Sequence, residues 1–272
     1  MFVPLRDNNP TRSTPVVNYL LIALNCLFWL VELWLIEGFG DVAVIAGYGL
    51  VPARFSGDPA GEAFTIFSSM FMHGGWMHLG WNMVFLYIFG DNVEDALGHG
   101  RYALFYLTCG VAAAVAQVAI NPTSPVPMVG ASGAIAGMLG AYLVLYPRAP
   151  VTVFNPFFLL WIIGLGPLLV FPAWLVVGEW FLGNLLTGVR SLALQARGVG
   201  DDTMVAVFAH LGGFVAGLLF VRPAMTGRTK VDADRWHGWR PPPRRPPPGV
   251  GPRPADVFRD SRPRPGRWDP WN

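Results

Sequence analysis

Four polar side chains in otherwise apolar stretches have types and spacings that could do chemistry: His78, Asn82, Ser132 and His210. His78 and Asn82 are four residues apart, which puts them on one face of a helix. Ser132 lies in Gly130-Ala131-Ser132-Gly133-Ala134-Ile135-Ala136-Gly137, and His210 in Ala209-His210-Leu211-Gly212-Gly213-Phe214-Val215-Ala216-Gly217. A serine hydroxyl is a poor nucleophile until a base takes its proton, and a neutral imidazole with an ordinary pKa near ~6.5 suits that task. Acyl transfer by such a pair also needs donors for a tetrahedral oxyanion, and those available are Asn82, His78 and the Ser132 backbone N–H. No membrane Asp or Glu is placed to orient His210, so the spacing predicts a dyad. Singly, a serine here would cap or pack a helix and a histidine would be a satisfied core residue; it is the set that points to catalysis.

The elements that must position these groups follow from composition. Of 272 residues, 53% are hydrophobic and 13% charged, about half the ~25% charge of an ordinary soluble domain. Residues 222 to 272 hold twelve of the nineteen basic groups and five of the seventeen acids, a net of +7, which leaves −5 for residues 1 to 221. That split excludes a uniform soluble globule and implies a membrane-embedded body with a basic tail. Cys26 and Cys109 each sit in an apolar run, which argues against a disulfide framework.

Residues 16 to 36 form an apolar run long enough, at roughly 31 Å, to cross a bilayer core. It lacks a small-residue cleavage site and reads as a retained first span. Further spans are expected at about 76 to 93, 102 to 120, 132 to 147, 172 to 190 and 203 to 221, six in all. Residues 151 to 171 are apolar too, but Pro156, Gly164, Gly166, Pro167 and Pro172 break them into an interfacial or re-entrant lead. With an even number of spans, one side holds Arg6, Arg12, Arg101, Arg148 and the twelve basic groups of the tail, against Arg54, Arg190 and Arg197 on the other. The positive-inside rule then puts both termini in the cytoplasm and the 38 to 75 loop outside.

Counting along each span to its cytoplasmic end puts Asn82, Ser132 and His210 at roughly 18, 22 and 18 Å, and His78 at about 24 Å. All four lie near one level, about 6 to 12 Å below the outer surface of a ~30 Å core. Gly133 and Gly137 mark one helix face and Gly213 and Gly217 another, and such seams let backbones approach closely enough for Ser132 to reach His210.

These motifs in this order resemble the rhomboid family of intramembrane serine proteases. The resemblance rests on His78-x-x-x-Asn82, Gly130-x-Ser132-Gly133-x-x-x-Gly137 and Ala209-His210-x-x-Gly213-x-x-x-Gly217. Weaker matches are Pro4-Leu5-Arg6-Asp7, His73 and Glu94-x-x-x-Gly98-x-x-Arg101-Tyr102, so that coverage runs from about residue 2 to 222. It implies an all-α, polytopic membrane protein, a six-transmembrane-helix bundle, that cleaves single-span membrane proteins in or near their transmembrane segment, admitted between helices two and five. It further implies Ser132 as nucleophile, His210 as general base, His78 and Asn82 as oxyanion side chains and Gly130 as a substrate-binding loop position, with no metal or diffusible cofactor. Two positions depart from some relatives: Ala136 stands where an aromatic would stack on the catalytic histidine, and residues 38 to 75 lack a Trp-Arg pair.

The expected organisation is a cytoplasmic N-terminal segment (1–15), a membrane domain (16–222) and a disordered Pro/Arg/Trp-rich tail (223–272). Trp236, Trp239, Trp268 and Trp271 among the arginines suit the tail to an anionic inner leaflet, and no folded nucleic-acid reader accompanies them. The expected setting is a bacterial cytoplasmic membrane, with the site opening to the outside and transmembrane proteins and lipids as partners. The rival reading is a non-proteolytic rhomboid-like bundle that binds or chaperones transmembrane segments, which would account for the glycine seams and for Glu179 without a dyad.

Overall fold

Long apolar runs with few breakers can satisfy their backbone in a bilayer only as helices, and the six longest helices among the described residues fall on the six expected spans. The computed structural model describes residues 2–162, 164, 166–195 and 207–227. In chain order the elements are β1 (Val3–Asp7), α1 (Val16–Phe39), α2 (Asp41–Tyr48), α3 (Pro52–Gly57), α4 (Thr65–Ser68), α5 (Trp76–Leu97), α6 (His99–Ile120) and α7 (Ser132–Leu145). There follow β2 (Pro150–Phe154), α8 (Phe158–Ile162), β3 (Leu168–Pro172), α9 (Ala173–Gln195) and α10 (Val207–Ala224). Of these, α1, α6 and α10 are both long and apolar enough to cross a membrane. The expected tail beyond residue 227, and residues 203 to 206 of the expected sixth span, lie outside the described residues.

Helix α7 is short, at 14 residues, and nearly all of it is buried, as expected of a helix that is apolar all round and enclosed by its neighbours. Its partners are α6 and α10, and small residues bring all three close. A Cβ on Gly213 would collide with the Gly133 carbonyl, and one on Gly217 with that of Gly137. The glycine seams therefore bring backbone against backbone, which fixes the height of α10 relative to α7.

Helix α1 begins after Pro15 with no side-chain cap of its own. Its free amides are taken instead by the buried Glu94 of α5, whose carboxylate accepts from Val17 N at 2.9 Å and Asn18 N at 2.6 Å. An anion at the positive end of a helix both caps and docks it. Glu94→Gln exchanges one acceptor oxygen for a donor and is expected to destabilise the protein by about 2 kcal/mol. A lowered midpoint of thermal unfolding in detergent would show this; an unchanged midpoint would remove Glu94 from the docking of α1.

Beside the helices, β1, β2 and β3 form an antiparallel sheet in that order. The apolar, partly β-branched runs 151 to 154 and 168 to 171, separated by Pro156, Gly164, Gly166 and Pro167, pair as strands where hydropathy alone had indicated an interfacial or re-entrant lead. Pro4 sits on an edge strand, where its missing N–H costs no ladder bond. Asp7 at the end of β1 accepts from Tyr142 Oη and Asn92 Nδ2, both at 2.7 Å. Burial, together with nearby Asp91, holds the Asp7 carboxyl well above the usual carboxylate range. The connection between α7 and β2 anchors the start of α9, because Ala173 N donates to Ala149 O at 2.8 Å and Trp174 N to Pro147 O at 2.9 Å.

The segment between α6 and α7 is tied to the 38 to 75 loop through main-chain atoms. Leu50 and Met128 exchange hydrogen bonds of 3.0 and 2.7 Å, and Gly130 N donates to Ser69 O at 2.8 Å. These ties set where α7 begins, and its first residue is Ser132.

Candidate active site

The glycine seam between α7 and α10 places Ser132 and His210 side by side. His210 Nε2 and Ser132 Oγ are 2.8 Å apart, both on half-buried side chains. That distance suits a hydroxyl donating to an unprotonated ring nitrogen. As the first residue of α7, Ser132 also stands at the helix end where backbone N–H groups have no intrahelical acceptor and the dipole favours negative charge.

Gly130 precedes the serine by two residues with φ at +117°, a conformation that L side chains avoid. A Cβ here would lie 2.7 Å from His78 Cε1 and Nε2 and 3.5 Å from Asn82 Nδ2. Glycine thus permits the turn and leaves room for both side chains at this point. His78 Nδ1 accepts the Gly74 N–H at 3.3 Å, so in the neutral ring Nε2 carries the hydrogen. Asn82 is buried, and among the described residues its Nδ2 has no hydrogen-bond partner. A buried amide donor left open is uncommon in a folded protein.

Two further residues meet His210 that sequence reasoning did not single out, both from α9. Asn184 Oδ1 lies 2.7 Å from His210 Nδ1, and the Trp180 ring packs against the imidazole with centroids 5.7 Å apart at 45°. Trp180 supplies the aromatic contact that Ala136, itself fully buried, does not. The available signal was Trp180-x-x-x-Asn184, with the same four-residue spacing as His78-x-x-x-Asn82. Glu179, the charge noted in the fifth span, instead accepts from Phe2 N at 3.2 to 3.3 Å.

Long apolar helices packed on small-residue seams define the class of the protein: a polytopic, mainly α-helical membrane protein. Residues 60–225 match the sequence profile of the rhomboid domain, and the chain belongs to the rhomboid family. Similar proteins include the rhomboid protease GluP of Bacillus subtilis (strain 168), 34% identical over 133 residues that cover 48% of this chain and 25% of that protein. Rhomboid protein 1, mitochondrial, of Saccharomyces cerevisiae is 30% identical over 166 residues, covering 57% of this chain and 40% of its own. Rhomboid-like protease 5 of Toxoplasma gondii is 31% identical over 182 residues, 65% of this chain and 18% of its own. The matched region spans less than half the length of each of these three relatives.

Proposed function

We propose that this chain is an intramembrane serine endopeptidase that cleaves single-span membrane proteins in or near their transmembrane segment. The observation that carries the reading is the 2.8 Å contact between Ser132 Oγ and His210 Nε2 at the start of α7, beside Asn82 Nδ2, which has no partner among the described residues. In the reaction, His210 takes the hydroxyl proton as Oγ attacks the scissile carbonyl. The oxyanion is met by Asn82 Nδ2, His78 Nε2–H and the Ser132 N–H, and donors fixed beforehand in a dry site cost little reorganisation when charge develops. His210 then passes its proton to the departing amine. Water attacks the acyl-enzyme by the same route in reverse roles and frees Ser132.

The reading places the protein in a bacterial cytoplasmic membrane, with six spans, both termini inside and the site opening to the outside. Arg6 and Arg12, before α1, and Arg222, near the end of α10, support this orientation. The full chain, purified in detergent, is expected to convert a labelled single-span substrate to a discrete fragment and to react covalently with a fluorophosphonate probe. Both outcomes should vanish in Ser132→Ala. Equal labelling or cleavage by Ser132→Ala would overturn the assignment, and substrate binding by the wild type without any cutting would favour the non-proteolytic bundle.

A further inference from the structure

We propose that Asn184 of α9 is the positioning residue for His210, so that the site works as a hydrogen-bonded series Ser132, His210, Asn184. The inference rests on the assignment of Ser132 and His210 above. It begins with the amide itself, which has one donor end and one acceptor end. Asn184 Nδ2 donates to the Trp180 carbonyl, one turn earlier in the same helix, at 2.9 Å. A carbonyl can only accept, so this bond fixes which way the amide faces and turns Oδ1 toward His210.

At 2.7 Å from Oδ1, His210 Nδ1 must be the donor. The neutral ring then carries its hydrogen on Nδ1 and leaves the Nε2 lone pair for Ser132 Oγ, 2.8 Å away. The tautomer needed for general-base action is therefore selected from α9, a different helix from those that carry the nucleophile and the base. Ring rotation is limited from the same helix, because Trp180 packs on the imidazole and also lies 6.2 Å from Phe214, one turn further along α10. An asparagine does this without adding negative charge. It orients the imidazole but stabilises the imidazolium less than a carboxylate would.

That difference gives the test. For the full chain in detergent, the rate of fluorophosphonate labelling and the kcat and KM for a single-span substrate are measured against pH in the wild type, Asn184→Ala, Asn184→Asp and Ser132→Ala. Asn184→Ala should lower the labelling rate and kcat by about 10²-fold, the effect of a misplaced reacting group, with KM little changed. Asn184→Asp should recover activity at high pH and move the acid limb upward by about one pH unit or more, because a carboxylate favours protonated His210. Wild-type labelling by Asn184→Ala, or an acid limb unmoved in Asn184→Asp, would overturn the proposal while a silent Ser132→Ala left the active-site assignment standing. Labelling of Ser132→Ala at the wild-type rate would instead remove the assignment itself. Should Asn184→Ala fail to fold, the pH profile of Asn184→Asp decides alone.

Discussion

His210→Ala should lose as much activity as Ser132→Ala, and the double variant should be no worse than either. A nucleophile without its base and a base without its nucleophile are equally idle, so the two losses overlap rather than multiply; each is expected to be on the order of 10⁶-fold in kcat. Single-turnover cleavage of a labelled substrate at saturating enzyme would measure all three. Losses that multiplied would mean the two side chains act in separate steps, despite their 2.8 Å contact. Truncating Ser132 removes one hydrogen bond worth about 1 kcal/mol, too little to unfold the bundle, so the thermal midpoint should fall by no more than about 4 °C while the activity is lost.

Asn82→Leu should move activity and stability in opposite directions. If Asn82 Nδ2 meets the oxyanion, its loss is expected to cost about 10²- to 10³-fold in kcat with little change in KM, since the interaction forms only as charge develops. In the resting protein that same donor is buried and has no partner among the described residues, an arrangement that costs about 1 to 3 kcal/mol. A leucine of similar size removes that penalty, and the thermal midpoint should rise. Activity measured alongside thermal unfolding in one detergent checks both signs. A variant that is both slower and less stable would make Asn82 a structural residue, and one that is faster or unaffected would exclude it from the oxyanion site.

Much of the bundle was legible because its signals are long. The run from residue 16 gives α1 its first residue, and the serine that opens the fourth apolar stretch is the first residue of α7. Gly133, Gly137, Gly213 and Gly217 were readable as seams because backbone contact demands small residues at four-residue spacing, and a Cβ at each would meet a close neighbour on another helix. The strands were not readable in the same way. Short, largely apolar runs such as Val151-Thr152-Val153-Phe154 fit a broken helix as well as a strand, and pairing with Leu168–Pro172 and with distant Val3–Asp7 settles the choice. Asn184 escaped for a related reason. A carboxylate is the commoner partner for the far nitrogen of a catalytic histidine, whereas the group beside His210 Nδ1 is a neutral amide 26 residues away in sequence.

The ties between residues 50 and 128 and between 69 and 130 join main-chain atoms only. Such bonds do not depend on which side chains are present, so exchanges at the buried Met128, Ser69 and Leu50 that keep the packing should leave the starting point of α7 in place. Chain length has no such freedom. One residue gained or lost between 128 and 130, where two tied positions are only two apart, would put these donors and acceptors out of register and displace Ser132 from its partner. The stretch from 128 to 130 thus serves the serine as a ruler, held against the 38 to 75 loop and intolerant of count.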